Sequence, residues 1–180
     1  MKDTQIKIMN NQELTYRNQI MPSDLKNIYQ IIESSKNFSD EEMNIAIELA
    51  DERLKNGAQC GYSFLFAERY NKIIGYACYG KIAGTKSSFD IYWLAVHRNF
   101  HGLGIGKQLL KKTEYIIAEM GGNRIYIETS SRKAYESARI FYAHCGYKKE
   151  AVLNDFYSPG DNKVVYVKEI KNIYFNKLTA

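Results

Sequence analysis

The sequence predicts one mixed α/β domain with helices on both faces of a single sheet. Three observations carry that reading. Strand-like and helix-like hydrophobic periods follow one another as strand, two helices, three strands, helix, strand, helix, two strands, an alternation that layers helices over a sheet. A glycine-rich turn joins the third of the middle strands to the helix that follows it. The chain has 180 residues, 45% of them hydrophobic, which suits one domain with a substantial core and argues against disorder. The domain is taken as residues 1–180, with the polar residues 1–13 frayed or forming an edge element.

The elements follow in order. Leu14 to Ile20 reads as a first strand, and Pro22-Ser23-Asp24 ends it and caps a helix. Leu25, Ile28, Ile31 and Ile32 give that helix one apolar face. Ser39 with Glu42 forms a capping-box pattern at the start of a second helix, which carries Met43, Ile45, Ala46, Ile47, Leu49, Ala50 and Leu54 and stops at Gly57. Tyr62–Glu68 and Ile73–Ile82 read as a hairpin about Arg69-Tyr70-Asn71-Lys72. Phe89–Val96 is apolar on both faces and therefore central. Alternation places Asp90, Tyr92 and Leu94 on one side of it and Ile91, Trp93 and Ala95 on the other. The next helix turns Leu109, Leu110, Ile116, Ile117 and Met120 inward and ends at Gly121-Gly122. A strand at 124–129, a helix from Tyr135 to Cys145 closed by Gly146, and a hairpin of 147–155 with 163–170 complete the chain.

Composition excludes several function classes. Lys and Arg number 25 against 20 Asp and Glu, a net charge of +5. This balance suits an anionic ligand, but the basic residues are scattered, without the stripe a nucleic-acid surface needs. Cys60, Cys78 and Cys145 are isolated and odd in number, so neither a disulfide framework nor a metal site is expected. Reduced thiols fit a cytoplasmic protein. No apolar signal core follows Met1, and no run is long and apolar enough to span a membrane, so no membrane partner is expected.

The stretch His101-Gly102-Leu103-Gly104-Ile105-Gly106-Lys107 carries the functional signal. Glycines let backbone N–H groups approach a ligand, and a helix opening there adds unpaired N–H groups and the positive end of its dipole, so the turn suits a phosphate or pyrophosphate. Four readings compete. In a nucleoside-triphosphate loop the residue after Gly106-Lys107 should be Ser or Thr, and it is Gln108. In a dinucleotide fingerprint counted from Gly102 and Gly104 the third glycine falls on Lys107, and the loop starts several residues after the strand. A plain turn leaves three alternating glycines without a reason for their entropic cost.

The fourth reading is a resemblance. Residues 94–107 resemble the acetyl-coenzyme A signature of the GNAT acyltransferase superfamily, [QR]-x-x-G-x-[GA] after a strand, with His101 in place of the usual Gln or Arg. Ala138-Arg139-Ile140-Phe141-Tyr142-Ala143-His144-Cys145-Gly146-Tyr147 resembles the family's A-x-x-[FL]-Y-x-x-x-G-[FY] segment. The likeness spans about residues 60–170 and includes both motifs in the family's order, a more specific signal than either alone. It implies a mostly antiparallel central sheet, splayed at the cofactor site. It also implies acetyl-coenzyme A as cosubstrate, with no metal.

From the resemblance follow the site assignments. Backbone N–H groups of Leu103, Gly104, Ile105, Gly106 and Lys107 hold the pyrophosphate, with His101 and Gly102 beside them in the cofactor-binding loop. A bulge near Leu94-Ala95-Val96 opens the strand to the pantetheine arm and points an N–H at the thioester carbonyl. Phe141 borders the cofactor, as does Tyr135, which stands where the family often has an Asn. Tyr142 is the general acid for the departing thiolate. Asp90 is the expected base for the amine, with Glu128 and Glu68 as weaker candidates. Asp155 and Asp161 are candidates to bind a cationic acceptor, and Tyr29, Phe38 and the first two helices form the other wall. The expected reaction moves an acetyl group to a primary amine of a small molecule through a ternary complex. The alternatives are a protein or peptide N-acetyltransferase and a non-catalytic acyl-coenzyme A sensor. A homodimer is compatible with the sequence.

Overall fold

The structure, a computed structural model, describes residues 14–170; the N-terminal element expected over 1–13 lies outside them. Seven strands form one sheet: β1 (Thr15–Arg17), β2 (Ser63–Arg69), β3 (Lys72–Lys81), β4 (Ser88–Val96), β5 (Arg124–Ser130), β6 (Lys148–Ser158) and β7 (Asp161–Glu169). Their order is β1-β2-β3-β4-β5-β7-β6, which makes β4 central. Every neighbouring pair is antiparallel except β4 with β5. Helices α1 (Asp24–Ser35) and α2 (Asp40–Asn56) cover one face; α3 (Ile105–Glu119) and α4 (Glu136–His144) cover the other.

The two faces have separate cores because strand side chains alternate. Phe64 and Phe66 join Ile28, Ile31, Ile32, Ala46 and Ala50 under α1 and α2. Leu65 and Ala67 meet Leu109, Leu110 and Ile117 under α3. The capping box at α2 is formed: Glu42 N donates to Ser39 Oγ at 3.2 Å and Ser39 N donates to Glu42 Oε2 at 2.7 Å. At α1 the cap differs from expectation. Ser23 makes no side-chain capping bond, and the buried Asp24 accepts from Met21 N at 2.8 Å and from Arg17 at 2.9 and 3.1 Å.

Two expectations about β4 are corrected by one irregularity. Cys78 of β3 pairs with Trp93, but the next residue, Tyr79, pairs with Ile91, so Tyr92 is an extra residue in β4. The bulge therefore sits at Tyr92 and not at 94–96. A bulge shifts the alternation beyond it by one residue. Phe89, Ile91, Leu94 and Val96 consequently pack toward α3, while Trp93 and Ala95 pack toward α1 and α2. Ile91 and Leu94 share a face that strict alternation would have divided.

Smaller departures have local causes. Met120 is 53% exposed because α3 ends at Glu119 and the chain turns before Met120 can face the core. The last hairpin is tighter than expected: β6 runs to Ser158 and β7 begins at Asp161, leaving Pro159-Gly160 as the tip. Every residue of β6 is exposed, Val152, Leu153, Phe156 and Tyr157 included.

Gly122, just past α3, is packed against that helix and β4. A Cβ there would lie 2.4 Å from Ile117 Cγ2 and 2.9 Å from Phe89 Cδ2. Replacing Gly122 with Ala should therefore lower unfolding free energy by about 1–3 kcal/mol through overpacking. Denaturant titration checks this; the midpoint should fall with the slope unchanged.

Candidate active site

The site is built where β4 and β5 part. Their parallel ladder covers only Ser88–Arg124, Phe89–Ile125 and Asp90–Tyr126. Beyond Asp90, β4 stays with β3 while β5 stays with β7. Among the described residues no strand pairs with the β5-facing edge of β4 from Ile91 to Val96. The gap between the diverging strands is bordered by α4, which follows β5.

At the end of β4 the chain enters a short 3-10 turn, Arg98–Phe100, and then the glycine loop. His101 Nε2 lies 2.7 Å from the Val96 carbonyl oxygen. A carbonyl only accepts, so Nε2 carries the hydrogen, and the imidazole ties the loop back to its strand. Gly102 and Gly104 have φ of +77° and +75°, a region other residues enter only with strain. Gly104 is the N-cap of α3 and supplies no side-chain cap, so the first N–H groups of α3 are left for a ligand. Gly106 is different: a Cβ there would touch Phe141 at 3.7 Å, and its place is beside that ring.

A cleft of about 490 Å³ opens over this helix start. Leu94, Ala95, Val96, His101, Gly102, Gly104, Ile105, Gly106, Lys107 and Phe141 all border it, as do Ala138, Tyr142 and Cys145 of the α4 segment. Leu103 is 52% exposed and is not among the lining residues. A second cleft of about 480 Å³ lies on the other side of the divide. The two share Phe38, Leu94, Ala138 and Tyr142. A ligand held at the helix start can thus meet another molecule at Tyr142.

The sequence profile of the acetyltransferase (GNAT) domain matches residues 60–149, the span holding β4, the glycine loop and α4. The chain belongs to the GNAT acetyltransferases. A Desulfovibrio desulfuricans structure assigned to the GNAT family is 38% identical, with a TM-score of 0.85 over 88% of this chain and 99% of that one. An uncharacterized N-acetyltransferase of Methanocaldococcus jannaschii is 32% identical over 111 residues, 61% of this chain and 67% of the relative. An aminoglycoside 6'-N-acetyltransferase crystallised with coenzyme A has a TM-score of 0.68 at 16% identity, over 87% of this chain and 97% of that one; at that identity the likeness is one of fold. The parted β4 and β5 agree with the splayed GNAT sheet expected from the motifs.

In this GNAT domain the residues expected near the thioester are placed as follows. Tyr142 stands at the junction of the clefts, 8% exposed, with the rings of Phe141, Tyr147 and Tyr166 at 5.5, 6.1 and 6.1 Å. Burial pushes its phenol far above the ordinary range, which keeps it protonated and able to donate. Tyr135 borders the second cleft and not the first; its hydroxyl donates to Glu42 at 2.6 Å.

The second cleft is acidic. Glu41, Glu42, Glu128 and Asp161 line it against one guanidinium, that of Arg132. Arg132 bridges Asp161 at 3.0 Å and Glu42 at 3.3 Å, and Asp161 also accepts from Ser130 Oγ. Glu128 pairs with Lys163 at 2.7 Å. Tyr92, Trp93 and Tyr157 add aromatic surface. Glu42 and Arg132 had no part in the site read from sequence. The capping box accounted fully for Glu42, and nothing local to Arg132 marks it.

Four other candidates lie elsewhere. Asp90 borders neither cleft, but it sits at the last β4–β5 pair, where the strands begin to part. Burial, and then the charge of Glu128, lift its carboxyl to about 6, against the opposing pull of Lys163. Glu68 pairs with Arg17 at 2.8 Å near the far edge of the sheet. Asp155 holds its own turn, accepting from Gly160 N at 2.7 Å, while its N–H donates to Asn162 Oδ1 at 2.8 Å. Tyr29 is 41% exposed and lines neither cleft, whereas Phe38 lines both.

The raised Asp90 pKa has a consequence for stability. The folded state holds this proton up to about pH 6, whereas an unfolded Asp releases it near its ordinary value of 3.8. Asp90 therefore costs stability as pH rises through that window. Asp90→Asn should melt higher than the parent at pH 8, and the difference should shrink toward pH 4. Thermal melts across pH check it; a gap that widens on acidification would show that the carboxylate is stabilised instead.

Proposed function

We propose that the protein transfers an acetyl group from acetyl-coenzyme A to a primary amine on a small cationic molecule, both substrates being bound at once. The observation that carries this reading is the meeting of two unlike clefts at Tyr142: one over an uncapped helix start, the other acidic and aromatic. The first fits acetyl-coenzyme A. N–H groups of Ile105, Gly106 and Lys107 would receive the pyrophosphate. The unpaired edge of β4 at Leu94–Val96 would pair with the amides of the pantetheine arm as an added strand would. The cosubstrate supplies an acyl thioester.

The chain's own residues then have three tasks. A backbone N–H of the Leu94–Val96 segment supports the charge that grows on the carbonyl oxygen. Tyr142 gives its proton to the departing sulfur. The proton lost by the amine goes to a carboxylate at the fork: Glu128 lines the second cleft, and Asp90, raised to about 6, is charged at neutral pH yet basic enough to serve. Carboxylates and the faces of Tyr92, Trp93 and Tyr157 favour an ammonium with an apolar body.

The reading is tested first by calorimetry. Acetyl-coenzyme A should bind where NAD and ATP do not, and Gly104→Val should weaken it, because valine cannot take a φ of +75° without strain. Thiol release should then appear with diamines and cationic aminated sugars ahead of neutral amines; a preference for peptide amines would replace the small-molecule acceptor. Tyr142→Phe should leave acetyl-coenzyme A affinity intact and cut turnover by about a hundredfold or more. Unchanged turnover would remove Tyr142 as the acid.

A further inference from the structure

Helix α4 has only nine residues, and Tyr142 is its one buried side chain. A helix this short has little stability of its own, yet it forms a wall of both clefts. Its place must be set by contacts at its ends. On one side Arg139 reaches back to the chain before the helix, donating to the Ser130 and Arg132 carbonyls at 2.6 and 2.9 Å.

On the other side lies a charged group that the proposed chemistry does not use. Lys168 of β7 donates to the carbonyl of Cys145, the C-cap of α4, at 2.9 Å. It also donates to both carboxylate oxygens of Glu114 in α3, each at 2.8 Å. The two side chains are 15% and 2% exposed. The ammonium therefore sits at the negative end of α4, with its counter-charge fixed on a different helix. The turn it holds is the one Tyr142 depends on. Cys145 N and Tyr147 N both donate to the Tyr142 carbonyl, at 3.1 and 3.0 Å. Lys168 Nζ lies 5.4 Å from the centre of the Tyr147 ring, which in turn touches that of Tyr142.

We propose that Lys168, held by Glu114, is a positioning residue for Tyr142: it fastens the end of α4 to β7 and α3 so that the phenol stays at the junction of the clefts. The proposal rests on the reading of Tyr142 as the proton donor. A buried pair of this kind is not needed for stability as such, since apolar replacements of similar volume often serve as well. Its specific return is a single geometry for a short helix, and small displacements near reacting atoms are costly in rate.

The test is a double-mutant cycle on turnover, with acetyl-coenzyme A saturating. Lys168→Met should lower kcat about tenfold or more while KM for acetyl-coenzyme A stays near the parent value. In the Tyr142→Phe background the same change should have almost no further effect, because the group it positions has gone. Glu114→Leu with Lys168→Met removes both charges; this variant should melt near the parent temperature and still turn over slowly. Hydrogen exchange supplies a readout that needs no acceptor: Lys168→Met should speed exchange at the Cys145 and Tyr147 amides, with the core of α3 unchanged. Additive losses in the cycle, full turnover in the double replacement, or unchanged exchange at 145 and 147 would each overturn the proposal. If Tyr142→Phe alone keeps full turnover, the acid assignment fails, and this inference falls with it.

Discussion

A strand needs a hydrogen-bonding partner along each edge or a substitute for one, and β4 keeps its β5 partner only as far as Asp90. From that loss of pairing come the open edge at Leu94–Val96, the room for α4 to close over the gap, and the division into two clefts. The bulge at Tyr92 belongs to the same event. One extra residue bends β4 and turns Leu94 to the α3 side, where it becomes a shared wall of both clefts. The glycine loop then needs only to place a helix start at the wide end of the fork. The His101 bond to the Val96 carbonyl keeps loop and strand together there.

Charge is distributed to match. The chain as a whole is basic, and Lys107 borders the cleft at the helix start. The second cleft is lined by four carboxylates and one arginine. The surfaces on either side of Tyr142 therefore differ in sign, and the proposed anionic cosubstrate and cationic acceptor would each be steered to its own cleft.

What could be read from the sequence was what local chemistry determines. Strand and helix periods, the Ser39–Glu42 capping box and the glycine loop each depend on residues close in the chain, and each is present. The A-x-x-[FL]-Y segment likewise pointed to Tyr142. The bulge was misplaced because register is set between strands, by β3 against β4, and Tyr92 looks like any strand residue. Glu42 and Arg132 meet across 90 residues of chain, beyond any spacing rule. Glu114 is an intermediate case. It lies four residues after Leu110 and three before Ile117, on the buried stripe of α3, so helical spacing would have marked a buried carboxylate in need of a cation. Which cation, Lys168 on the last strand, only the folded sheet shows.

The outermost strand has a consequence of another kind. β6 is eleven residues long, exposed throughout, and among the described residues β7 is the only strand it pairs with. Such an edge would be a template for sheet growth between molecules in a crowded solution. Its ladder is interrupted twice, between Lys149 and Ala151 and between Leu153 and Ser158, and Asp155 has a φ of +52°. Lys148, Lys149 and Glu150 place charge at its start. A strand so kinked and charged offers no long flat run for another strand to copy, and the protein can carry Val152, Leu153 and Phe156 in the open at a lower risk of precipitating.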